Sequence, residues 1–540
     1  MTQKEDLFEN KEAFSWARQP LPIPVEKITE NIEADVVIIG AGHAGTCAAR
    51  AASEVQGIRV VVIEQQNEEK QYILGIGEVG HINSKWQESF NVPKVDIDEF
   101  VNDWQLRTNN RSNYRLIRKY AEKSGECFDW FIEPLTYEEK NKMYPMIAVP
   151  SVNMPKSLNG IHAYTGSAYM TLQVQNSALK KNQNLAKNNG AVFYFETRAE
   201  QLIIDKLGVK GVIARKNDGT YIRITSLKGV ILAAGDYSKN AQMCRDLLTG
   251  SADLIDQNTD WSGHGWDGSG IQMGVWAGGR LEPRTHAATG GNYSFPGFDV
   301  IGSTAVLRVN KYGRRYSNEG FATHILAATA GAIQPNGMLW GVFDSDIFDE
   351  ITYQTPCHAV FDYCSKERVQ ELKDILNKAK QSGKEGYRRG TERITYCADT
   401  LEELASFMFN NNQAQSTFLK EVNRYNELCF DGKDLDFGKE PALLHPIING
   451  PFYATGQIKN SHHPGGQSLK LLVTVSGLLI DENQQVLDEE FEPIIGLYAT
   501  GNCSGCRFGS QYTTSVPGQS ISIAHTLGRE VGYYAASRKI

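Results

Sequence analysis

An α/β fold built on a parallel sheet is expected from three observations. A β-branched apolar run opens onto a glycine turn, an alanine-rich helical stretch follows, and a second apolar run ends on a single acid. The first run, Asp35-Val36-Val37-Ile38-Ile39, is hydrophobic on both faces, as a buried parallel strand must be. It enters Gly40-Ala41-Gly42-His43-Ala44-Gly45, a G-x-G-x-x-G turn, and Ala48, Ala49, Ala51 and Ala52 follow in the helical stretch. The second run is Val60-Val61-Val62-Ile63, and Glu64 closes it. Glu64 lies about 20 residues beyond Gly45, the spacing that puts an acid next to a ribose in a Rossmann-like unit.

Each part of this unit has a physical task. Gly40 permits the tight turn, Gly42 keeps side-chain bulk away from a pyrophosphate, and Gly45 lets the helix pack closely on the sheet. The first helical turn, from Ala44, offers unpaired N–H groups and a positive dipole end to phosphates. Glu64, followed by Gln65, is placed to accept from ribose hydroxyls. Strand, glycines, helix, strand and acid in this order specify a dinucleotide site, and the fingerprint alone leaves NAD and FAD open.

Length and composition bound the rest. At 540 residues the chain exceeds one ordinary core, so two domains are expected. A hydrophobic content of 41% with 22% charged residues fits a soluble globular protein. The net charge of −8 argues against a nucleic-acid partner, which would require a clustered basic surface. No apolar run reaches the roughly 18 residues of a membrane span, and no membrane partner is expected. Met1 to Pro24 is polar and broken by prolines, without an apolar signal core or a twin-arginine pair, so a cytoplasmic protein is expected. Nine cysteines scattered over the chain suit free thiols in a reducing compartment.

The carboxyl end separates FAD from NAD. Gly496-Leu497-Tyr498-Ala499-Thr500-Gly501-Asn502 reads as a buried strand entering a glycine turn, and Pro517-Gly518-Gln519-Ser520-Ile521-Ser522 opens a helix running past His525 and Gly528. This pair resembles the closing segment of FAD-containing reductases of the fumarate reductase family, whose last helix points its amino terminus at the flavin pyrimidine. Further blocks follow the same family's order. Gly229 to Tyr237, with Ala234 and Gly235, resembles the strand and turn that return the chain to the FAD domain. Val192 to Phe195 and Ala199 to Ile203 resemble the strands near the adenine. Gly265-Trp266-Asp267-Gly268 resembles the "GDG" helix start, Val309 to Glu319 the "VNxxGxRFxNE" hairpin, and Thr474 to Asp481 the "TxGGxxID" strand.

The chain is thus identified, from roughly Ala34 to its end, as a member of the fumarate reductase/succinate dehydrogenase flavoprotein superfamily. The stretch Gly75 to Trp86, with Gly80 and Ser84, is similar to gut-bacterial cardiac-glycoside-reductase-like members. The resemblance implies an FAD-binding domain of glutathione-reductase type with an inserted α+β capping domain. The layout it gives is an extension over 1–33, FAD-binding segments over 34–283 and 446–540, and a cap over 284–445. A charged amphipathic stretch over 366–384 and the prolines Pro441, Pro446 and Pro451 suit that layout. The flavin is expected to be non-covalent, because Tyr72-Ile73 stands near where linked members carry histidine. The cofactor-binding set is Gly40, Gly42, Ala44, Gly45, Glu64, Gln65, Gly80, Ser84, Ala199, Ala234, Gly235, Asp267, Gly501, Asn502, Gln519, Ser520 and Ile521. No metal site is expected, and no haem or iron–sulfur cysteine pattern occurs.

The family's dicarboxylate machinery is missing at four matching positions. The proton-delivering arginine is replaced near Thr323, and its relay partner by Val300 to Thr304. A histidine is replaced by Leu472-Val473, and a carboxylate-clamping arginine by Thr513 to Val516. A dicarboxylate would be left buried without its counter-charges, so fumarate and succinate are poor substrates on this reading. Tyr512 stands just ahead of the last helix, where ketosteroid dehydrogenases of this fold use a tyrosine to polarise a ketone. Backbone N–H groups near Gly518 would complete an oxyanion hole. His324 and His463 are the proton-donor candidates. His43 and His264 are weaker candidates, and the variable position that His43 occupies in the turn is expected to point to solvent or the cap. Cys503-Ser504-Gly505-Cys506 is read as a structural loop rather than a redox pair, since no thioredoxin-like unit surrounds it.

The resulting expectation is an FAD-dependent ene-reductase acting on an α,β-unsaturated carbonyl compound, such as a steroid-like enone or lactone. A 3-ketosteroid-type dehydrogenase running the reverse reaction, a redox-sensing or electron-carrying flavoprotein, and an oxidase are the alternatives. With a single dinucleotide fingerprint, electrons are expected from a separate donor protein or a donor at the flavin face.

Overall fold

The computed structural model describes residues 14–71, 77–146, 157–158, 161–162, 164, 166–249, 265–289, 301, 304–321, 334, 339–353, 361–389, 393–457, 472–510, 512 and 516–539. Its main sheet runs Gln485–Leu487, Pro493–Ala499, Tyr221–Leu232, Ile28–Ile39, Val60–Ile63 and Val192–Tyr194, with Gly208–Lys216 and Thr197–Asp205 branching off the long Tyr221–Leu232 strand. The five strands from Pro493–Ala499 to Val192–Tyr194 pair in parallel.

The register decides where the site lies. Ile39 pairs with Ile63 and with Leu232, Leu232 pairs with Ala499, and Ile63 pairs with Tyr194. All these strands end level, so the turns after them converge on one edge of the sheet. In open α/β sheets that carboxyl edge is where ligands bind.

Two helices hold this edge from one side. His43–Ser53 buries Ala44, Ala48, Ala49, Ala51 and Ala52, and Gln519–Ser537 crosses it. The crossing is close because both sides are small: a Cβ on Gly528 would come within 2.4 Å of the Ala44 carbonyl oxygen, and one on Gly532 within 2.4 Å of that of Ala48. Gly45 is equally constrained, since a Cβ there would meet the Gly40 carbonyl oxygen at 1.9 Å.

A second, antiparallel sheet runs Leu307–Asn310, Leu339–Phe343, Phe452–Gln457, Arg393–Ala398 and Tyr387–Arg389. Helix Lys366–Ser382, capped by Ser365, buries Leu372, Ile375, Leu376 and Ala379, the single face its charged sequence allows. Helix Asn412–Phe430, capped by Asn411, buries Ala414, Phe418, Val422 and Tyr425.

Two expected limits shift. Strand Ile28–Ile39 begins inside the expected 1–33 extension, because Ile28 to Ala34 pair with Tyr221 to Ser226 of the long strand. The second sheet takes a central strand from Phe452–Gln457, beyond the expected re-entry at 446. The seam lies where Ala288–Thr289 pairs with Val473–Thr474. No helix among the described residues is long and apolar enough to cross a membrane.

Candidate active site

A cleft opens along the carboxyl edge, lined by the glycine turn (Gly40, Gly42, His43, Ala44), Glu64 to Gln66, Arg198 and Ala199, Ala233 to Asp236, Trp266, Gly501 and Asn502. At its far end it is lined by Leu472, Val473, Tyr512, Gly518, Ser520 and Ile521.

At the near end, one Glu64 oxygen accepts from the Ala41 N–H at 2.8 Å and the other from the Gln66 N–H at 2.8 Å. Burial pushes this carboxyl above its ordinary value, and the Ala41 and Gln66 donors pull against it. Each oxygen keeps a lone pair for a ribose hydroxyl. Arg198 donates to Gln65 at 2.9 Å and to Asp267 at 2.8 Å, tying the strand after Glu64 to the loop across the cleft. Burial alone would raise the Asp267 carboxyl, but the charge and hydrogen bond of Arg198 outweigh it and hold the group below its ordinary value.

In the middle, Asp236 fixes the wall. One oxygen accepts from the Trp266 N–H at 2.7 Å, and the other from the N–H groups of Thr474 at 2.7 Å and Ser238 at 3.1 Å. One carboxylate thereby holds three segments distant in sequence. Beneath Asn502, the buried Arg507 donates to Val475 O, Ser504 O and Asn502 Oδ1. The Cys503 and Cys506 thiols are buried and unbridged, and burial pushes both up to about 12. Thiols held that far from ionisation are poor nucleophiles at neutral pH. Cys503 Sγ lies 3.1 Å from Gly235 O, as a structural residue would.

At the far end, the last helix begins at Gly518, which has a φ of 70° and whose added Cβ would strike the Glu78 carbonyl oxygen at 2.3 Å. The Tyr512 hydroxyl accepts from the Ser520 N–H at 3.3 Å, and its ring meets Phe508 edge-on at 4.8 Å. The backbone donor nearest Gly518 is therefore engaged by the phenol, which modifies the expected all-backbone oxyanion hole. Burial pushes the phenol well above its ordinary value, so it stays neutral and able to donate, although the Ser520 N–H opposes the shift. Leu472 and Val473, where the family pattern has a histidine, face the cleft as apolar side chains.

The expected cofactor set divides. Gly40, Gly42, Ala44, Glu64, Gln65, Ala199, Ala234, Gly235, Gly501, Asn502, Ser520 and Ile521 line the cleft, whereas Gly45, Gly80, Ser84, Asp267 and Gln519 are not among its lining residues. Gly45 is a packing glycine, and Gly80 packs on the entry to the last helix, where a Cβ would meet Pro517 O at 2.3 Å. Ser84 is corrected outright: its hydroxyl caps helix Lys85–Glu88 in a capping box with Gln87 and meets His81 Nε2 at 2.9 Å. The Ser-x-x-Gln spacing carried that signal. Asp267 acts through Arg198, and the Gln519 side chain accepts from the Val516 N–H at 3.3 Å. His324, His463, His264, Thr323, Thr513 to Ser515 and Tyr72-Ile73 lie outside the described residues. His43 departs from expectation, since it lines the cleft and its Nδ1 lies 2.9 Å from His525 Nε2. That contact, the Arg198 clamp and the Asp236 clamp were not read from the sequence.

The turn leaves room for a diphosphate: Gly42 lines the cleft, and a Cβ built on it meets nothing within 4 Å. A cleft of this build, with an acid after the second strand and a helix end on its floor, defines a dinucleotide-cofactor enzyme. The chain belongs to the FAD binding domain family, whose model matches residues 35–523. It is an FAD-dependent oxidoreductase of the fumarate reductase/succinate dehydrogenase flavoprotein superfamily.

The chain is similar to a vinyl phenol reductase of Lactiplantibacillus plantarum, 24% identical over 93% of this chain and 96% of that one. It is also similar to a digoxin reductase of Eggerthella lenta, 25% identical over 94% of this chain and 87% of that one. Among solved structures, the 3-ketosteroid-Δ4-(5α)-dehydrogenase of Rhodococcus jostii RHA1 superposes with a TM-score of 0.67 at 21% identity, covering 96% of this chain and 100% of that one, a likeness of fold.

Proposed function

We propose that the protein is an ene-reductase that reduces the C=C bond of an uncharged α,β-unsaturated carbonyl compound. The observation that supports this reading is the neutral Tyr512 phenol in a cleft wall shared with Leu472 and Val473. FAD, when bound, supplies the hydride. Tyr512 donates its O–H to the substrate carbonyl, which draws electron density from the β-carbon. Accepting the Ser520 N–H at the helix end makes the phenol a stronger donor. Leu472 and Val473 exclude water and give a carboxylate no counter-charge. His324 or His463 delivers the proton to the α-carbon, and a separate donor protein re-reduces the enzyme. The names of the vinyl phenol and digoxin reductases agree with a reductive role on such compounds.

Anaerobic stopped-flow reoxidation of the photoreduced protein tests the reading. Enones or unsaturated lactones should restore the oxidised flavin band, and fumarate should not; rapid reoxidation by fumarate with none by any enone overturns it. Tyr512→Phe should lower the reoxidation rate by about 10²–10³-fold with the flavin spectrum retained, the usual cost of one oxyanion donor.

A further inference from the structure

We infer that His43 and His525 form a diphosphate-binding device, in which His43 presents an N–H to the diphosphate of the dinucleotide and His525 holds its ring. The inference rests on the FAD reading above and assigns a role to two side chains of the same cleft.

His43 is the first residue of helix His43–Ser53, directly after Gly42, at the place where backbone N–H groups attract phosphate oxygens. It lines the cleft, and its Nδ1 is turned to His525 Nε2 at 2.9 Å. The two nitrogens of an imidazole point to nearly opposite sides of the ring, so Nε2 faces away from His525. His525 sits on the last helix, buried and stacked on Phe131 with ring centroids 3.9 Å apart. Its burial, with His43 and His81 nearby, keeps its ring neutral.

One proton occupies the line between the two rings. Where His525 donates it, His43 is neutral and carries its other proton on Nε2. Where His43 donates it, an anion beside Nε2 favours the doubly protonated ring. Either arrangement leaves Nε2 a donor, so the partner converts an ambidextrous ring into a fixed N–H, as outer-sphere partners do for metal-bound histidines. Gly528, one turn beyond His525, supports the placement by letting the last helix approach the Ala44 carbonyl. The two ends of the chain then grip the diphosphate together, one through a turn and the other through an imidazole.

The test is cofactor affinity of the full-length apoprotein, read by quenching of flavin fluorescence on titration with FAD and by competition with ADP, which carries the diphosphate without the flavin. His43→Leu, which keeps the packing volume, should weaken FAD and ADP by the same factor, about tenfold or more for a bond to a charged group. His43→Gln, which keeps an N–H donor, should stay within about threefold of the parent, and His525→Phe, which keeps the stack on Phe131, should fall between the two. Parent-like affinity of His43→Leu for both ligands overturns the inference. So does weakened FAD binding with ADP unchanged, since the contact would then lie elsewhere on the cofactor. Parent-like behaviour of His525→Phe alone overturns the positioning role. An apoprotein of unaltered sequence that takes up no FAD removes the reading underneath, a result separate from any of these.

Discussion

The edge of the parallel sheet and the interior of the second sheet bury carboxylates by opposite means. At the edge, Asp236 and Glu64 are satisfied mainly by backbone N–H groups, and burial leaves both above their ordinary values. In the second sheet, Arg315 reaches Glu319 at 2.8 Å and Asp434 at 2.7 Å, and Lys439 donates to Tyr425 at 2.7 Å and lies 3.5 Å from Glu319. There burial also works against the acids, but the neighbouring cations win and hold Asp434 down to about 2 and Glu319 below its ordinary value. The contrast separates two jobs. A carboxylate among backbone donors fixes loops where a ligand must fit, whereas a carboxylate among cations fixes side chains where none enters.

The largest test of this contrast is Arg315→Ala. It strands Glu319 and Asp434 without their main partner and should cost about 3–5 kcal/mol, read by chemical denaturation. FAD affinity should barely change if the two bodies are energetically separate, and a parallel loss of affinity would break the comparison. Asp236→Asn comes next. An amide turns its NH₂ toward N–H groups that had an acceptor, which should cost about 1–3 kcal/mol for the donors left unpaired. This loss should appear in FAD binding, because Trp266 and the Val473–Thr474 strand lose their common anchor.

The smallest expected effect is in pH dependence. The Asp434 value, folded, lies below its ordinary 3.8, so its contribution is present above 3.8 and lost as pH falls toward about 2. The Asp236 value lies above 3.8, so its contribution is present below 3.8 and lost as pH rises through the folded value. Acidification from pH 5 to pH 3 should therefore weaken the second sheet relative to the first. Hydrogen exchange should show Arg393–Ala398 losing protection before Ile28–Ile39. The reverse order would show that charge pairing does not dominate the second sheet.

The sequence made the edge more legible than the interior, for a physical reason. The fingerprint from Asp35 to Glu64 is local, and each of its glycines answers to backbone geometry that no other residue satisfies. The amphipathic helix over 366–382 was equally local, since its period alone names Leu372 and Ile375 as buried. Asp236 with Thr474, Arg198 with Asp267 and His43 with His525 join residues far apart in the chain, and spacing carries no trace of such pairs. Ser84 shows the converse failure: a local capping signal was present, and the resemblance to a family block obscured it.

The crossing of helices His43–Ser53 and Gln519–Ser537 has a consequence for biosynthesis. Gly528 and Gly532 complete the seat of a helix made nearly five hundred residues earlier. A ribosome still engaged with the second sheet therefore carries a nascent chain whose phosphate turn lacks its support. Cofactor loading in this architecture belongs after chain release, when the last translated helix closes onto the first.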